Sequence, residues 1–385
     1  MKPRVLFLDH SGVLSGAELC LFDIASYYVD SGRVLLFADG PLRERLERAG
    51  IAVEVAAAPR TVSDIRREGS GVRELQAIPG VFRLGWRVAQ YARSYDVLYA
   101  NSQKALIIGA LAGKLARKPV IWHLHDILSV QHFSQVHRWL ATTLANRTVV
   151  RVIANSKATA AAFVESGGKA KLVRVVYNGI DPAPFELTTP AELEALRREL
   201  GLVEVSVVGV FSRLAPWKGQ HVLLDALPHL PTVHALLVGD ALFGEQMYAE
   251  SLRGQARSLG VANRVHFLGF RKDVPRLMQL SDVVVHTSTA PEPFGRMIVE
   301  GMMADKPVVA SRAGGATEII EDKVNGYLVP PGNSEALGET LASLLGDPVS
   351  RSTIAKAGHA TAFERFSLYA MLEGIDQQIE EVTNL

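Results

Sequence analysis

Two carboxylates, Glu292 and Glu300, stand with seven residues between them in Pro291-Glu292-Pro293-Phe294-Gly295-Arg296-Met297-Ile298-Val299-Glu300. Pro293 and Gly295 hold the first part as a loop, and Met297 to Ala304 has the pattern of a helix. Glu292 then precedes a helix N-terminus, and Glu300 lies about one turn inside it. An anion docked on the amides of Arg296, Met297 and Ile298 gains from the helix dipole. The flanking carboxylates accept hydrogen bonds from hydroxyl groups at either end of the same ligand. Donors for phosphate beside acceptors for hydroxyls suit a nucleotide-sugar. The plain alternative is a helix with an acidic first turn, and the dense Glu-Pro-Phe-Gly setting argues against it.

Three further segments carry chemistry. Phe211-Ser212-Arg213-Leu214-Ala215-Pro216-Trp217-Lys218-Gly219 puts two cations on a loop after a strand. A diphosphate needs neutralisation there, and charge-assisted hydrogen bonds contribute about 1.5–3 kcal/mol each. Read alone, Arg213 and Lys218 are two solvated loop cations. Gly12-Val13-Leu14-Ser15-Gly16-Ala17-Glu18 follows a strand and opens a helix, so its amides can face an anion. It reads equally well as a tight turn needing glycine. It is not a G-x-G-x-x-G, and no acid follows the second strand, which disfavours a nicotinamide dehydrogenase. In Trp122-His123-Leu124-His125-Asp126 the two histidines share one side of a strand. Strand-end histidines are commonly structural, and His132, His137 and His286 are read so. No Asp-x-Asp occurs in the chain. Fixed cations and helix amides are therefore expected to stabilise a leaving diphosphate, with no metal clamp.

Strands and helices must alternate to position these segments. Val5–Leu8, Val34–Phe37, Ile51–Val55, Val97–Tyr99, Val120–His123 and Val152–Ala154 are apolar runs of the buried parallel type. Helical patterns separate them, from Ala17 to about Asp30 and from Pro41 to Ala49. The turn-rich stretch Asn178–Pro184 is a linker. Strand candidates resume at Val205–Phe211, Ala235–Val238, Val265–Leu268, Val283–His286, Val308–Ala310 and Gly326–Val329. The expectation is two doubly wound α/β domains, with ligands beyond the carboxyl ends of strands, in the cleft between them.

With these motifs in order, the chain resembles the large retaining glycosyltransferase family 4, of the GT-B fold. Arg213 and Lys218 upstream of Glu292-x7-Glu300 carry the resemblance. Also similar are the Gly12–Glu18 loop, the histidine segment, Ile153–Lys157, Val176–Asp181, Leu237-Val238-Gly239-Asp240, Leu268–Asp273 and Gly314–Glu318. Residues 56–95 match nothing specific. The resemblance implies two Rossmann-like domains facing a central cleft. Residues 1–180 would bind the acceptor and 181–365 the donor, with a C-terminal helix, 366–385, packing back on the first domain. It implies that Arg213 and Lys218 neutralise the donor diphosphate and that Glu292, with backbone groups of Phe294 and Gly295, holds sugar hydroxyls. Glu300 would bind the ribose and backbone near Arg271 the base. Amides of Met297 and Ile298, with Gly16 and Gly239 in the donor site, would meet the phosphates. His125 would lie near the reacting sugar, so Glu292, His125, Arg213 and Lys218 form the catalytic set. Retention without metal or cofactor follows from the same resemblance. It can come by double displacement or by same-face attack, and same-face attack is favoured because Glu292, the only obvious carboxylate near the anomeric carbon, is assigned to hydroxyl binding. The donor is expected to be a UDP-sugar such as UDP-glucose, and the acceptor a glycan or lipid-linked molecule of an exopolysaccharide or envelope pathway. Rival readings are a GDP-mannose-dependent mannosyltransferase, a GT-B relative such as a nucleotide-sugar epimerase, and a non-catalytic nucleotide-sugar-binding protein.

Composition narrows the field from the other side. Hydrophobic residues make up 48% and charged residues 21% of 385, which excludes a disordered chain. The net charge of +1 hides a split: residues 1–180 hold 24 basic and 14 acidic side chains, residues 181–385 hold 17 and 26. No nucleic-acid binder is expected from that balance. Cys20 is the sole cysteine, so neither an intrachain disulfide nor a cysteine-based zinc site is expected. With no apolar stretch of membrane-spanning length and no signal peptide, a cytoplasmic protein is expected. Residues 60–94 carry Arg60, Arg66, Arg67, Arg73, Arg83, Arg87 and Arg93 against Asp64, Glu68 and Glu74. Val81, Phe82, Leu84, Trp86 and Val88 are interleaved with them. The stretch reads as an ordinary helix with a solvated basic face and a buried apolar one, as a contact with anionic lipid on the inner membrane face, or as a binding surface for an anionic acceptor glycan. Placed in a cleft, Lys218 is expected to be removable with little change in melting temperature.

Overall fold

The computed structural model describes residues 2–58, 71–130, 133–242 and 244–384, with the side chains of 71–77 left outside. The chain divides into two compact units, Met1–Gly179 with Leu368–Leu385, and Ile180–Ser367.

In the first unit, fully buried apolar runs form the central strands. The described strands are β1 (Val5–Asp9), β2 (Gly32–Leu36), β3 (Val53–Val55), β4 (Val97–Ala100), β5 (Val120–Leu124), β6 (Arg151–Ala154) and β7 (Val173–Val175). They pair in parallel in the order β3-β2-β1-β4-β5-β6-β7. Side chains alternate between two cores, as the period of two demands. Phe7, Tyr99 and Ile121 pack with Cys20 and Ile24 of the Gly16–Tyr27 helix and with Met371, Ile375 and Ile379 of the C-terminal helix, Leu368–Thr383. Leu8, Leu98 and Trp122 pack on the opposite face with Leu84, Val88, Leu106 and Phe163. The C-terminal helix thus belongs to this unit. Its Asp376 accepts from the Tyr28 hydroxyl, and its Glu381 lies 3.0 Å from Arg151.

Local limits differ from expectation in three places. The first helix ends at Tyr27, three residues before Asp30, because the amides of Ser31 and Gly32 bond back to the Tyr28 carbonyl and start β2. The third strand shrinks to Val53–Val55. Strand β7 was not foreseen: Val-Arg-Val is a short edge strand with two exposed positions, lacking the apolar run that marks its neighbours.

The second unit repeats the plan. The described strands are β8 (Ser206–Phe211), β9 (Val233–Val238), β10 (Val265–Gly269), β11 (Val283–His286), β12 (Val308–Ser311) and β13 (Tyr327–Val329). Their order is β10-β9-β8-β11-β12-β13, again parallel. Each unit is a Rossmann-like, doubly wound sheet. Strand order reverses beside β1 and β4 in the first and beside β8 and β11 in the second, and the motif loops leave the carboxyl ends there. No described helix is long and apolar enough to cross a membrane.

Candidate active site

Glu292 is the centre of the second unit's motif. Its Oε1 accepts from three donors: Lys218 Nζ at 2.6 Å, His286 Nε2 at 2.8 Å and Ser288 Oγ at 2.5 Å. Its Oε2 takes no partner among the described residues. Burial would raise this carboxyl, but Lys218 and His286 outweigh it and hold Glu292 well below the usual carboxylate range. An ionised oxygen is therefore fixed on one side and open on the other, which suits a hydroxyl donor. His286 and Ser288, at the end of β11, had no assigned part. His286, expected to be structural, is one of the three donors that hold Glu292 in place.

The Lys218 loop is fastened to the same strand end. Thr287 Oγ1 donates to the Lys218 carbonyl at 2.8 Å, and the Thr289 amide to the Trp217 carbonyl at 2.8 Å. Gly219, at φ 70°, must be glycine: a Cβ there would lie 2.0 Å from the Thr287 carbonyl oxygen. Gly239 has the same kind of duty. At φ 136° its Cβ would meet the Ser212 carbonyl at 2.1 Å, so its glycine is explained by the approach of two loops. Glu292 itself bridges Gly314 in parallel, and the Gly315 amide donates to the Glu292 carbonyl at 2.9 Å. The Gly314-Gly315 motif is thus a backbone support for the carboxylate. Phe294, fully buried edge-on against Phe366, anchors the loop.

Arg213 and Lys218 are not solvated loop cations. Lys218 pairs with Glu292, lies 4.3 Å from the Trp217 ring centre and is largely buried. Arg213 reaches Glu245 at 3.4 Å. The expectation that Lys218 can be removed without thermal consequence is therefore replaced: its loss strips a cation from a buried carboxylate. The helix after Gly295 runs Arg296–Met303, one residue earlier than expected. The Ile298 amide already donates to the Gly295 carbonyl at 2.9 Å, whereas the Met297 amide has no partner among the described residues. Glu300 lies 3.7 Å from Arg296, and burial raises its carboxyl despite that cation. The Arg271 side chain is clamped by Asp273 at 2.7 and 2.6 Å.

Gly16 and His125 belong to the first unit. Gly16 opens the helix, and the Ser15 hydroxyl donates to Glu18, whose carboxyl is pushed up by burial and then by Asp9. Buried Asn101, at the end of β4, donates to Asp9 Oδ2 at 2.6 Å and to the Ala17 carbonyl at 3.2 Å. Its amide orientation is thereby fixed, and Oδ1 faces His125 Nε2 at 2.9 Å. An amide oxygen only accepts, so His125 carries a proton on Nε2. His123 lies against it with ring centres 3.9 Å apart and planes tilted by 40°, and burial, then His125, keeps His123 neutral. Sequence reasoning missed Asp9 and Asn101. Their signal was the polar residue ending each apolar strand run.

The basic stretch is described only in part. Arg60, Asp64, Arg66, Arg67 and Glu68 lie outside the described residues, as does His132, and so do the side chains of Arg73 and Glu74. Arg83 and Arg87 fall on the Gly71–Ala92 helix, and Arg93 lies just after it. Leu84 and Val88 are buried, but Phe82 and Trp86 are 60% and 61% exposed beside exposed Arg83 and Arg87. A wholly buried apolar face is thus not what forms.

Two Rossmann-like units with phosphate-suited loops at their switch points define a GT-B glycosyltransferase. The profile described as Glycosyltransferase Family 4 matches residues 15–184, and that described as Glycosyl transferases group 1 matches residues 194–361. The D-inositol 3-phosphate glycosyltransferase of Kribbella flavida is 30% identical over 294 residues, 70% of this chain and 68% of that protein. Spore coat protein SA of Bacillus subtilis is 31% identical over 215 residues, 52% of this chain and 57% of its own length. The crystal structure of Anabaena HepE in complex with UDP and glucose is 48% identical, covers 98% of this chain and 99% of that chain, and superposes with a TM-score of 0.89. HepE has also been solved with UDP-glucose. The chain belongs to glycosyltransferase family 4.

Proposed function

We propose that this chain transfers a hexose, glucose foremost, from a UDP-sugar to a glycan or lipid-linked acceptor, with retention and without metal. The observation that carries the donor class is the near full-length likeness to HepE, a protein solved with UDP-glucose. The site geometry supports it. Glu292 would accept sugar hydroxyls through Oε2 while Oε1 stays anchored. Lys218 uses one of its three hydrogens on Glu292 and keeps two for phosphate oxygens. Arg213, Gly16 and the Met297 amide would share that charge, Ile298 less so, and Glu300 would take the ribose hydroxyls. In the first unit, His125 would lie near the reacting sugar.

Glu292, ionised and triply hydrogen-bonded through Oε1, is a hydroxyl acceptor rather than a nucleophile. We therefore favour same-face attack: the bond from sugar to diphosphate breaks, the acceptor oxygen bonds to the anomeric carbon, and the departing phosphate takes the acceptor proton. Trapping a covalent sugar on Glu292 would overturn that step. Membrane contact through Phe82 and Trp86 beside Arg83 and Arg87 belongs to the same proposal, at a cytoplasmic face. The donor is tested by thermal shift with UDP, GDP and ADP. Only the correct base should raise the melting temperature strongly. Stabilisation by GDP alone would favour the mannosyltransferase, and none by any nucleotide would end the proposal.

A further inference from the structure

Two buried groups of the first unit, Cys20 and His123, take no part in the proposed reaction. We propose that with His125 they form a binding site for a thiophilic d10 cation, Zn(II) or Cu(I). One donor atom from each of the three residues lies within 4.8 Å of the others. Thiolate and imidazole are the donors these ions select. Bonds of about 2.0 Å to nitrogen and 2.3 Å to sulfur hold tetrahedral donors roughly 3.3–3.7 Å apart, so the side chains must close by about 1 Å.

The surroundings fit ligands rather than packing. Cys20 Sγ lies 3.5 Å from Asn178 Oδ1 and 3.5 Å from Met371 Sδ, and the second adds another soft atom to the cluster. His123 Nδ1 lies 2.7 Å from the Tyr99 hydroxyl, while Nε2 of this buried ring has no hydrogen-bond partner among the described residues. A buried nitrogen left so costs about 1–3 kcal/mol, which a metal bond would offset. Burial keeps His123 neutral, the form that ligates. Tyr99 on one histidine and the Asn101–Asp9 pair on the other stand where metal-binding histidines carry their orienting partners. Cys20 and His123 are buried and His125 is part exposed, so an ion would enter past His125. On binding, the Cys20 thiol gives up its proton and His125 is taken out of use. The ion is thus an inhibitor of the proposed transfer, not a cofactor, but its binding does not depend on that function.

The untagged chain, stripped by a chelator and kept in a phosphine reductant, is titrated with Co(II), Zn(II) and Cu(I) separately. Cys20 is the sole cysteine, so a thiolate-to-cobalt charge-transfer band can arise only there. One equivalent of Co(II) should produce the band, and Zn(II) should displace it. Competition against chelators of known affinity separates Zn(II) from Cu(I). Cys20→Ala should abolish the band, and His123→Gln should weaken binding at least about tenfold. Absence of the band in the wild-type chain overturns the proposal whatever the variants do. So does Zn(II) and Cu(I) binding that both variants leave unchanged.

Discussion

Replacing Lys218 by methionine keeps most of the side chain's stem and removes its charge. The Nζ–Oε1 distance of 2.6 Å and side-chain exposures of 17% and 9% make this a largely buried pair. Removing one member of a buried ion pair costs about 3–5 kcal/mol when the other charge is left bare. Glu292 is not left bare, since His286 and Ser288 still donate to Oε1. One charged hydrogen bond, about 1.5–3 kcal/mol, is therefore the expected loss at pH 7. For a unit of this size that is roughly 3–12 °C in melting temperature. The pH dependence has a definite sign. Glu292 sits below its ordinary value of 4.5 in the folded chain, so its contribution is full above that value and is lost as pH falls through the folded one. In Lys218→Met the carboxyl rises, so the gap between variant and wild type should narrow on acidification. Thermal melts at pH 7 and stepwise toward pH 4, with UDP release from UDP-glucose measured alongside, check this. An unchanged melting temperature at pH 7, or a gap that does not vary with pH, would refute the reasoning.

Gly219→Ala forces a Cβ into 2.0 Å contact with the Thr287 carbonyl at φ 70°, and should cost about 2 kcal/mol or more and lower turnover; calorimetry and UDP release read both. Glu300→Ala should raise the donor KM about tenfold, about 1.4 kcal/mol, with kcat nearly constant, and an unchanged KM would remove the ribose assignment. Phe82→Ser with Trp86→Ser should lower flotation on anionic vesicles; no flotation of the wild-type chain at low salt ends the membrane reading.

Much of the architecture was legible because buried parallel strands leave continuous apolar runs, and β1, β4, β5 and β6 are buried at every position. Strand β7 was hidden because an exposed edge strand leaves no such run. At the site, residue types were legible and pairings were not. Lys218 and Glu292 were each visible, but their 2.6 Å contact joins residues 74 apart and exists only once β8 and β11 lie side by side. His286 looked structural because a histidine ending a strand usually is, and only the fold brings Glu292 back to it. Gly239 stood in a recognisable motif, yet its reason is the Ser212 carbonyl from a different loop. The interleaved arginines of residues 81–88 suggested an apolar face. Which of those residues it buries depended on how the helix lies against its neighbours, and Phe82 and Trp86 fell outside it.

The central claim is that Glu292, held ionised through one oxygen, positions the sugar of a UDP-activated donor. The most direct measurement is UDP released from UDP-glucose by the wild-type chain and by Glu292→Gln, with UDP affinity measured on both. Loss of turnover by about a hundredfold or more with UDP binding intact is the predicted result. Unaltered turnover in Glu292→Gln, or no UDP release or UDP binding by the wild-type chain, would contradict it.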